Sequence, residues 1–442
     1  MKTISYWGKE IEVIYVKDVV VVGGGTAGAA AAISALENGG DTLIVERAGA
    51  LGGSQTLAMV APMMGLGIVD YDFKTNMMIK EEIRKYGEEI KDNLGGEGWF
   101  NSDSLKYILQ KMITDRNGDI LYFADIVDVI MDNSSIKYII VNTLSGLAAV
   151  EGKSFIDGTG NALLSKLTGV PTKSGEDSTG RNQSMSLRFE MGGIDIDKFS
   201  KYIRGKNDFF SLLEYPFFEA AMVFGHGFAL EEDFRKAIEN GELQEEDAVY
   251  FQCFTIPGKI GSMTFNCPEI PMYHNATDPI EISKATIKGR EMIHRLVKFL
   301  AKNIQGFEKA YLSSEASLLG IRESSRIIGK YVLTAEDVIH RKKFRDAVIK
   351  TAYPIDVHGI SGYEGKVELK KGEYYEIPFS SLVTNEVKNL VVVGRCISTN
   401  FLVQSSARVQ LTCRATGEAG GKAAVYAVKN QMNINEIKYN EI

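Results

Sequence analysis

Cysteine, proline and basic surplus are all in short supply in this 442-residue chain. Its four cysteines, at 253, 267, 396 and 413, form no C-x-x-C pair. That excludes a zinc ribbon, a thioredoxin-like site and an iron–sulfur run, and points to reduced thiols in a cytoplasmic setting. Lysine and arginine number 50 against 57 acidic residues, a formal charge of −7, so no general basic surface is present to hold nucleic acid or anionic lipid. Prolines number 9 against 44 glycines, a balance that suits a fold in which backbones approach closely. Two uncharged stretches, Val19 to Leu36 and Ala48 to Val69, are long enough to suggest membrane spans. Glycines interrupt both, and Pro62 interrupts the second, so they read as buried soluble segments. The first ten residues carry Lys2, Lys9 and Glu10 and lack the apolar run of a secretory signal. Hydrophobic residues at 45% and charged ones at 24% exclude a disordered chain and give it a core.

The periodicities alternate between strand and helix. Ile11 to Val16 and the four-valine run Val19 to Val22 read as strands, the second buried on both faces. Ala29 to Leu36 follows as a small-residue helix ended by Asn38-Gly39-Gly40, and Thr42 to Val45 is the next buried strand. Helices are expected over Thr75 to Leu94 and Leu105 to Ile113, the latter capped by Asp103 or Ser104. A meander follows: 120–123, 126–131, 137–142, 148–150 and 155–156. From about 175 to 280 the pattern loosens and aromatics become frequent. Ser283 to Asn303 is an amphipathic helix with Ile287, Met292, Leu296, Phe299 and Leu300 on one face. Leu390 to Val393 is a buried strand, and a long helix runs from about 410 to 428.

The strongest motif is Gly23-Gly24-Gly25-Thr26-Ala27-Gly28, a G-x-G-x-x-G that follows a valine strand and opens a helix. Glu46 closes the next strand, 18 residues beyond Gly28. This is the context of a dinucleotide-binding fingerprint. Gly23 allows the tight turn, Gly25 lets the backbone approach a pyrophosphate, and Gly28 lets helix and strand pack closely. The helix N-terminus faces the phosphates, and Glu46 is placed to accept hydrogen bonds from ribose hydroxyls.

Arg47 and Leu51-Gly52-Gly53-Ser54 follow the acid; Ile156-Asp157-Gly158-Thr159-Gly160 and Asn389 to Arg395 are further strand ends rich in glycine. Together these resemble the two-dinucleotide-binding-domain flavoproteins. Gly320 to Gly329, Tyr353 to His358 and Ser406-Ala407-Arg408-Val409 extend the likeness to the FAD-dependent oxidoreductases related to the flavoprotein subunit of heterodisulfide reductase, over about 15–428. The resemblance implies an α/β fold: a Rossmann-like FAD-binding domain built from both chain ends, 1–175 and 310–442, with an inserted α+β substrate or cap region at 176–309. It implies one FAD, held by Gly23, Gly25, Thr26, Ala27, Gly28, Glu46, Arg47, Gly52, Gly53, Ser54, Thr56, Ile126, Gly158, Gly160, Gly394, Arg395, Val409 and Gln410. Two departures stand out. Ser54 follows the glycine pair and no cysteines cluster, which speaks against an iron–sulfur centre. Arg395 occupies the place of the acid that usually meets the ribityl chain. A second complete G-x-G-x-x-G is missing, so no built-in nicotinamide domain is expected and an unidentified donor or acceptor must exchange electrons.

Four residues are candidates for chemistry. In flavoproteins of the fumarate-reductase type an arginine just before the C-terminal helix lies near the flavin and binds a substrate carboxylate, which the resemblance places on Arg408; the alternative is a structural salt bridge. Arg322 and Arg326, four apart, share a face if their segment is helical, and hold either an acidic substrate or a domain interface. His358 and Asp356 alternate onto one face of an extended segment, and a carboxylate beside an imidazole favours a proton donor; the alternative is a buried, hydrogen-bonded histidine. His226 is a weaker candidate, His274, His294 and His340 suit surface or packing roles, and Cys396 suits a buried, inert thiol. The expected activity is hydride transfer between flavin N5 and a small polar organic substrate. The alternative is an electron-transfer subunit that serves a protein partner. Homo-oligomerisation is left open.

Overall fold

In a computed structural model, the described residues are 2–63, 73–86, 100–206, 208, 218–270, 275–359, 367, 369–370 and 372–442. The N-terminal sequence supplies seven strands of one eight-stranded sheet: β1 (Thr3–Tyr6), β2 (Lys9–Val22), β3 (Thr42–Glu46), β4 (Asp119–Tyr122), β5 (Asp125–Asp132), β6 (Ser135–Thr143) and β7 (Gly146–Asp157). The eighth, Leu390–Val392, comes from far along the chain and pairs in parallel with the end of β7. β2 pairs in parallel with β3 and β7, and β3 with β4. The antiparallel hairpins β5–β6–β7 complete the sheet. Val19 to Val22 and all of Thr42–Glu46 are buried, as continuous apolar runs in the middle of a parallel sheet must be. The fold class is therefore α/β with a Rossmann-like parallel sheet.

Three helices belong to this half: α1 (Thr26–Glu37), α2 (Lys74–Lys85) and α3 (Ser102–Thr114). α1 ends where Gly39 takes a left-handed φ of 78° and its amide reaches the carbonyl of Leu36, the conformation glycine supplies without strain. The separate strands expected at 11–16 and 19–22 are one strand, as are those at 148–150 and 155–156. The expected helix 75–94 is observed over Lys74–Lys85, and its part at 87–94 lies outside the described residues. α3 is capped by Asn101, whose side chain accepts from the amide of Asp103, rather than by Asp103 or Ser104; the amide oxygen of Asn101 stands at the first free N–H.

The chain's last long helix, Gln410–Asn430, returns to lie on α1. Both helices are dominated by alanine and glycine along their contact. A Cβ on Gly417 would stand 2.3 Å from the carbonyl oxygen of Ala27, and one on Gly421 2.3 Å from that of Ala31. Glycine is thus required for this backbone approach.

A second sheet has five antiparallel strands in the order 219–223, 250–256, 259–265, 189–192 and 311–315. Its phenylalanines, Phe189, Phe251 and Phe265 among them, pack with the helix Pro279–Asn303 into a separate core. That helix begins four residues before the expected start, with Asp278 as its cap and Pro279 in its first turn. Its buried stripe runs through Ala285, Gly289, Met292, Ile293, Leu296, Phe299 and Leu300, and Ile287 is exposed, because it falls on the far side of the periodicity.

Gly417→Ala should lower the unfolding free energy by about 1–3 kcal/mol, the usual cost of overpacking a filled interface. Gly205→Ala, where a Cβ meets nothing within 4 Å, should bring no such loss. Denaturant titration of both variants reads the difference, and an unchanged midpoint for Gly417→Ala would contradict the close helix contact.

Candidate functional site

The carboxyl ends of β2, β3, β7 and Leu390–Val392 bring four glycine-containing turns to one edge. Gly52 forms a parallel bridge with Gly25, and its amide donates to the carbonyl of Gly24 at 2.8 Å. Thr26 Oγ1 reaches the carbonyl of Gly52 at 3.2 Å and lies 3.3 Å from Ser54 Oγ. Thr56 Oγ1 donates to the carbonyl of Leu51 at 2.5 Å and closes the Gly52-Gly53 turn. A Cβ on Gly158 would lie 2.8 Å from the carbonyl oxygen of Gly23, and one on Gly394 2.9 Å from the Cβ of Ala27. Asp157 is fully buried and accepts from Thr159 and Ser165, each through backbone and hydroxyl, which fixes the turn that carries Gly160.

The cradle tests well for a dinucleotide. A Cβ on Gly25 would meet one atom within 4 Å, the carbonyl oxygen of Gly158 at 3.9 Å, so the cap of α1 faces open space. No side chain caps α1 and its first turn holds no acid, leaving its N-terminal amides available to phosphate oxygens. Just past the end of β3 lies a cavity of about 680 Å³ lined by Arg47, Ala48, Phe123, Asp125 and Asn142. Glu46 accepts from the amides of Gly24 at 2.6 Å and Ala48 at 2.9 Å. Burial pushes its carboxyl up against those hydrogen bonds, and each oxygen retains a lone pair for a ribose hydroxyl. Ile126 is buried at the start of β5, one residue beyond Asp125.

Arg395 serves a different purpose from the acid it replaces. Its guanidinium donates to the carbonyl of Gly160 at 2.7 Å, to Asn161 Oδ1 at 2.7 Å and to the carbonyl of Ile321. It ties the third and fourth turns to the segment that leads into the second site. Cys396 beside it is buried, and burial pushes its thiol up to about 12, which keeps it protonated.

The second constellation gathers five chain segments. Three short strands, Met185–Ser186, Glu269–Ile270 and Gly320–Ile321, pair so that Ser186 stands opposite both Glu269 and Gly320. This register brings Ser184, Glu269 and Arg322 together. Arg322 donates to the carbonyl of Ser184 at 2.8 Å and lies 3.7 Å from Glu269, which also accepts from Ser184 Oγ. His358 lies between two acids, its Nδ1 3.3 Å from Glu269 and its Nε2 3.2 Å from Asp356. Asp356 also accepts from Arg408 at 2.9 Å. Arg408 joins the short helix Phe401–Ala407 to the C-terminal helix. Gln183 and Gln404 brace the group: Gln183 accepts from the amide of His358, and Gln404 donates to the carbonyl of Arg322.

Burial pushes the Glu269 carboxyl up, but the His358 hydrogen bond and the charge of Arg322 outweigh it and hold the group at about 2. Burial likewise opposes ionisation of Asp356, and His358 and Arg408 hold it well below the usual carboxylate range. Burial pushes the phenol of Tyr353 up to about 12.

Arg326 is not part of this group. Residues 320–327 form two short strands and an irregular link instead of a helix, so the four-residue spacing puts Arg322 and Arg326 in different surroundings. Arg326 is 1% exposed, paired with buried Glu323, and donates to the carbonyls of Thr399 and Gly175. Each nitrogen of its guanidinium has a partner within the protein. His226 lies in a turn, His294 sits on a helix, His340 follows the end of one, and His274 lies outside the described residues. Glu269, Ser184 and Arg188 were not singled out from the sequence. The available signal was an isolated charge in an uncharged run: Arg188 is the one charged residue in 182–189, and Glu269 the one acid in 260–277.

Glu269 binds protons more weakly in the folded chain than in an unfolded one, so it contributes stability that is present above about pH 4.5 and is lost as the pH falls towards 2. The full contribution is about 3 kcal/mol. Glu269→Gln should therefore flatten the fall of the unfolding free energy over that range. An acid titration with the wild-type slope would separate Glu269 from the ion pairs drawn here.

The sequence profile of the FAD-dependent oxidoreductases matches residues 18–442. No curated protein sequence matches the chain. Among solved structures, the myxobacterial chondrochloren halogenase, an FAD-dependent halogenase, is similar with a TM-score of 0.52 and 10% identity, over 97% of this chain and 78% of its own. The p-nitrophenol 4-monooxygenase of Pseudomonas putida is similar with a TM-score of 0.50 and 10% identity, over 94% of this chain and 81% of its own. At such identity the likeness is one of fold.

Proposed function

The chain belongs to the FAD-dependent oxidoreductase family, with FAD as its cofactor, and from that premise we propose that it moves a hydride between flavin N5 and a small polar organic substrate held at the Arg408–His358–Arg322 cluster. The observation that carries this reading is the histidine held between two partly buried carboxylates, themselves paired with two arginines. An electron-transfer surface would need an exposed apolar patch; this group is charged and largely buried. Residues 1–175 and 310–442 would hold the cofactor, and 176–309 would cap the substrate. The motifs at 320–329, 353–358 and 406–409 support kinship with the flavoprotein subunit of heterodisulfide reductase. Four buried free thiols support a cytoplasmic location, and an unidentified partner would complete the electron balance.

The turns at 23–28, 52–54, 158–160 and 394–395 would hold the dinucleotide, with Glu46 at the ribose. Val409 and Gln410 open the C-terminal helix, and Gln410 is anchored by Gln55 and the carbonyls of Val60 and Pro62, so the helix start is fixed against the Gly52-Gly53 turn. Bound FAD supplies the two-electron carrier of the reaction. In the oxidative direction a substrate C–H gives up its hydrogen with the electron pair, and the adjoining hydroxyl or amine gives its proton to His358. In the reductive direction His358 returns that proton. Glu269 at Nδ1 holds the ring, and Asp356 faces Nε2, the nitrogen that would take or return the substrate proton. Arg408 orients the substrate from the other side of Asp356.

Gly25→Val puts a branched side chain where the pyrophosphate must approach and should leave a folded protein without FAD, as absorbance of the purified variant will show. Stoichiometric FAD in that variant would remove this turn from the cofactor site. Arg408→Ala should keep the fold and FAD. It should slow flavin reduction by about 10²–10³, the usual loss for one preorganised donor. Anaerobic reduction by a panel of hydroxy acids, amines and sugars identifies the reductant, and stopped-flow measurement with it supplies the rate. A normal rate in Arg408→Ala would take this residue out of the reaction.

A further inference from the structure

Arg188 stands immediately before the strand 189–192, at the edge of the same group, and is 8% exposed. Its Nε and Nη1 are buried and have no hydrogen-bond partner among the described residues. The charges that act on it most strongly are Arg322 and Arg408, with Tyr250 and Cys267 as neutral neighbours. Burial raises both of those, so neither supplies a counter-charge at neutral pH. A buried guanidinium without an anion is costly, and burial together with its two cationic neighbours disfavours the charge of Arg188.

The charges of the cluster show where the deficit lies. Glu269 is matched by Arg322 at 3.7 Å, and Asp356 by Arg408 at 2.9 Å. Of three guanidiniums and two carboxylates, the surplus is the charge on Arg188. The surrounding strands hold it in place: Met185 and Ser186 are paired on both sides, and Phe189 is paired on both sides by the five-stranded sheet.

We propose that Arg188 is the binding residue for a carboxylate group of the substrate, so that this enzyme acts on a carboxylic acid whose reacting carbon lies towards His358. A guanidinium with unspent N–H groups is the donor that suits a carboxylate, and with the His358 ring neutral one monoanion balances the three guanidiniums and two carboxylates. The proposal rests on the hydride-transfer reading of the same site, and Arg188 adds the substrate class.

The test uses the FAD-loaded protein and acetate, the smallest carboxylate, with acetamide as the neutral isostere and chloride to hold ionic strength. Calorimetry should show saturable binding of acetate and none of acetamide over the same range. Arg188→Met should keep its FAD, weaken acetate at least tenfold and lose the rise in melting temperature that acetate confers. Arg188→Lys should recover part of the affinity. Without acetate, Arg188→Met should melt no lower than wild type, because it removes an unmatched buried charge; a residue with a purely structural role would give a lower melting temperature. Wild-type acetate affinity in Arg188→Met, equal binding of acetamide, or a destabilised acetate-free Arg188→Met each overturns the proposal. The flavin absorption spectrum separates the two claims. Acetate that binds through Arg188 and perturbs the flavin supports both. Acetate that binds through Arg188 with the flavin spectrum unmoved leaves the anion site standing and removes the hydride-transfer reading on which the substrate class depends.

Discussion

The seam between α1 and the C-terminal helix is the contact on which both sites depend. A Cβ at Gly417 or Gly421 would stand 2.3 Å from a carbonyl oxygen of α1, so the two backbones meet with no side chain between them. Helices from opposite ends of the sequence are thereby fixed at one distance and in one register. The strand Leu390–Val392, which precedes the C-terminal helix, is drawn beside β7. Gly394 then stands over Ala27, with its amide held by Thr416 Oγ1. The cofactor cradle is thus closed by residues nearly four hundred positions away from those that open it.

Electrostatics governs the second site in the way that packing governs the first. Desolvation opposes each charge there, and the chain meets this by setting each acid between donors, in the order Arg322, Glu269, His358, Asp356, Arg408. Each acid touches two or more donors, which is why both are held low in spite of burial. The buried pair Arg326–Glu323 is built on the same rule but closes on itself, with the remaining donors of Arg326 given to two backbone carbonyls. Such a pair stabilises a junction between segments and offers no free direction to a ligand. Arg188 has the opposite character, being buried too but with donors unspent.

How much of this could be read from the sequence follows from the range of the interactions involved. The glycine turns were legible because strand, turn, helix and acid lie within 24 residues, from Gly23 to Glu46, and each has a local signature. The pairing of Asp356 with His358 was legible because period-two alternation is local as well. The condition under which Arg322 and Arg326 would share a face, a helix over their segment, is not met, because Gly320–Ile321 pairs as a strand with Met185–Ser186. Glu269 and Arg188 could not be placed, since their neighbours in space come from strands more than fifty residues apart. Their isolation among uncharged residues was the one trace they left.

The two sites meet at three consecutive residues. Arg408 turns back to Asp356 and the substrate cluster, Val409 caps the C-terminal helix, and Gln410 grips Gln55, Val60 and Pro62 beside the Gly52-Gly53 turn. The break between the helices Phe401–Ala407 and Gln410–Asn430 makes this division possible, because a continuous helix would carry residues 408 and 410 about 200° apart on a single axis. With the break, one residue belongs to the charge cluster and the next but one to the cofactor turn, while both are set by the same helix that packs on α1. Displacing that helix would move the substrate-orienting arginine and the cofactor-facing glutamine together. The small-residue seam therefore fixes the relative position of the two reactants, and the sheet carries the glycine turns to which that position is referred.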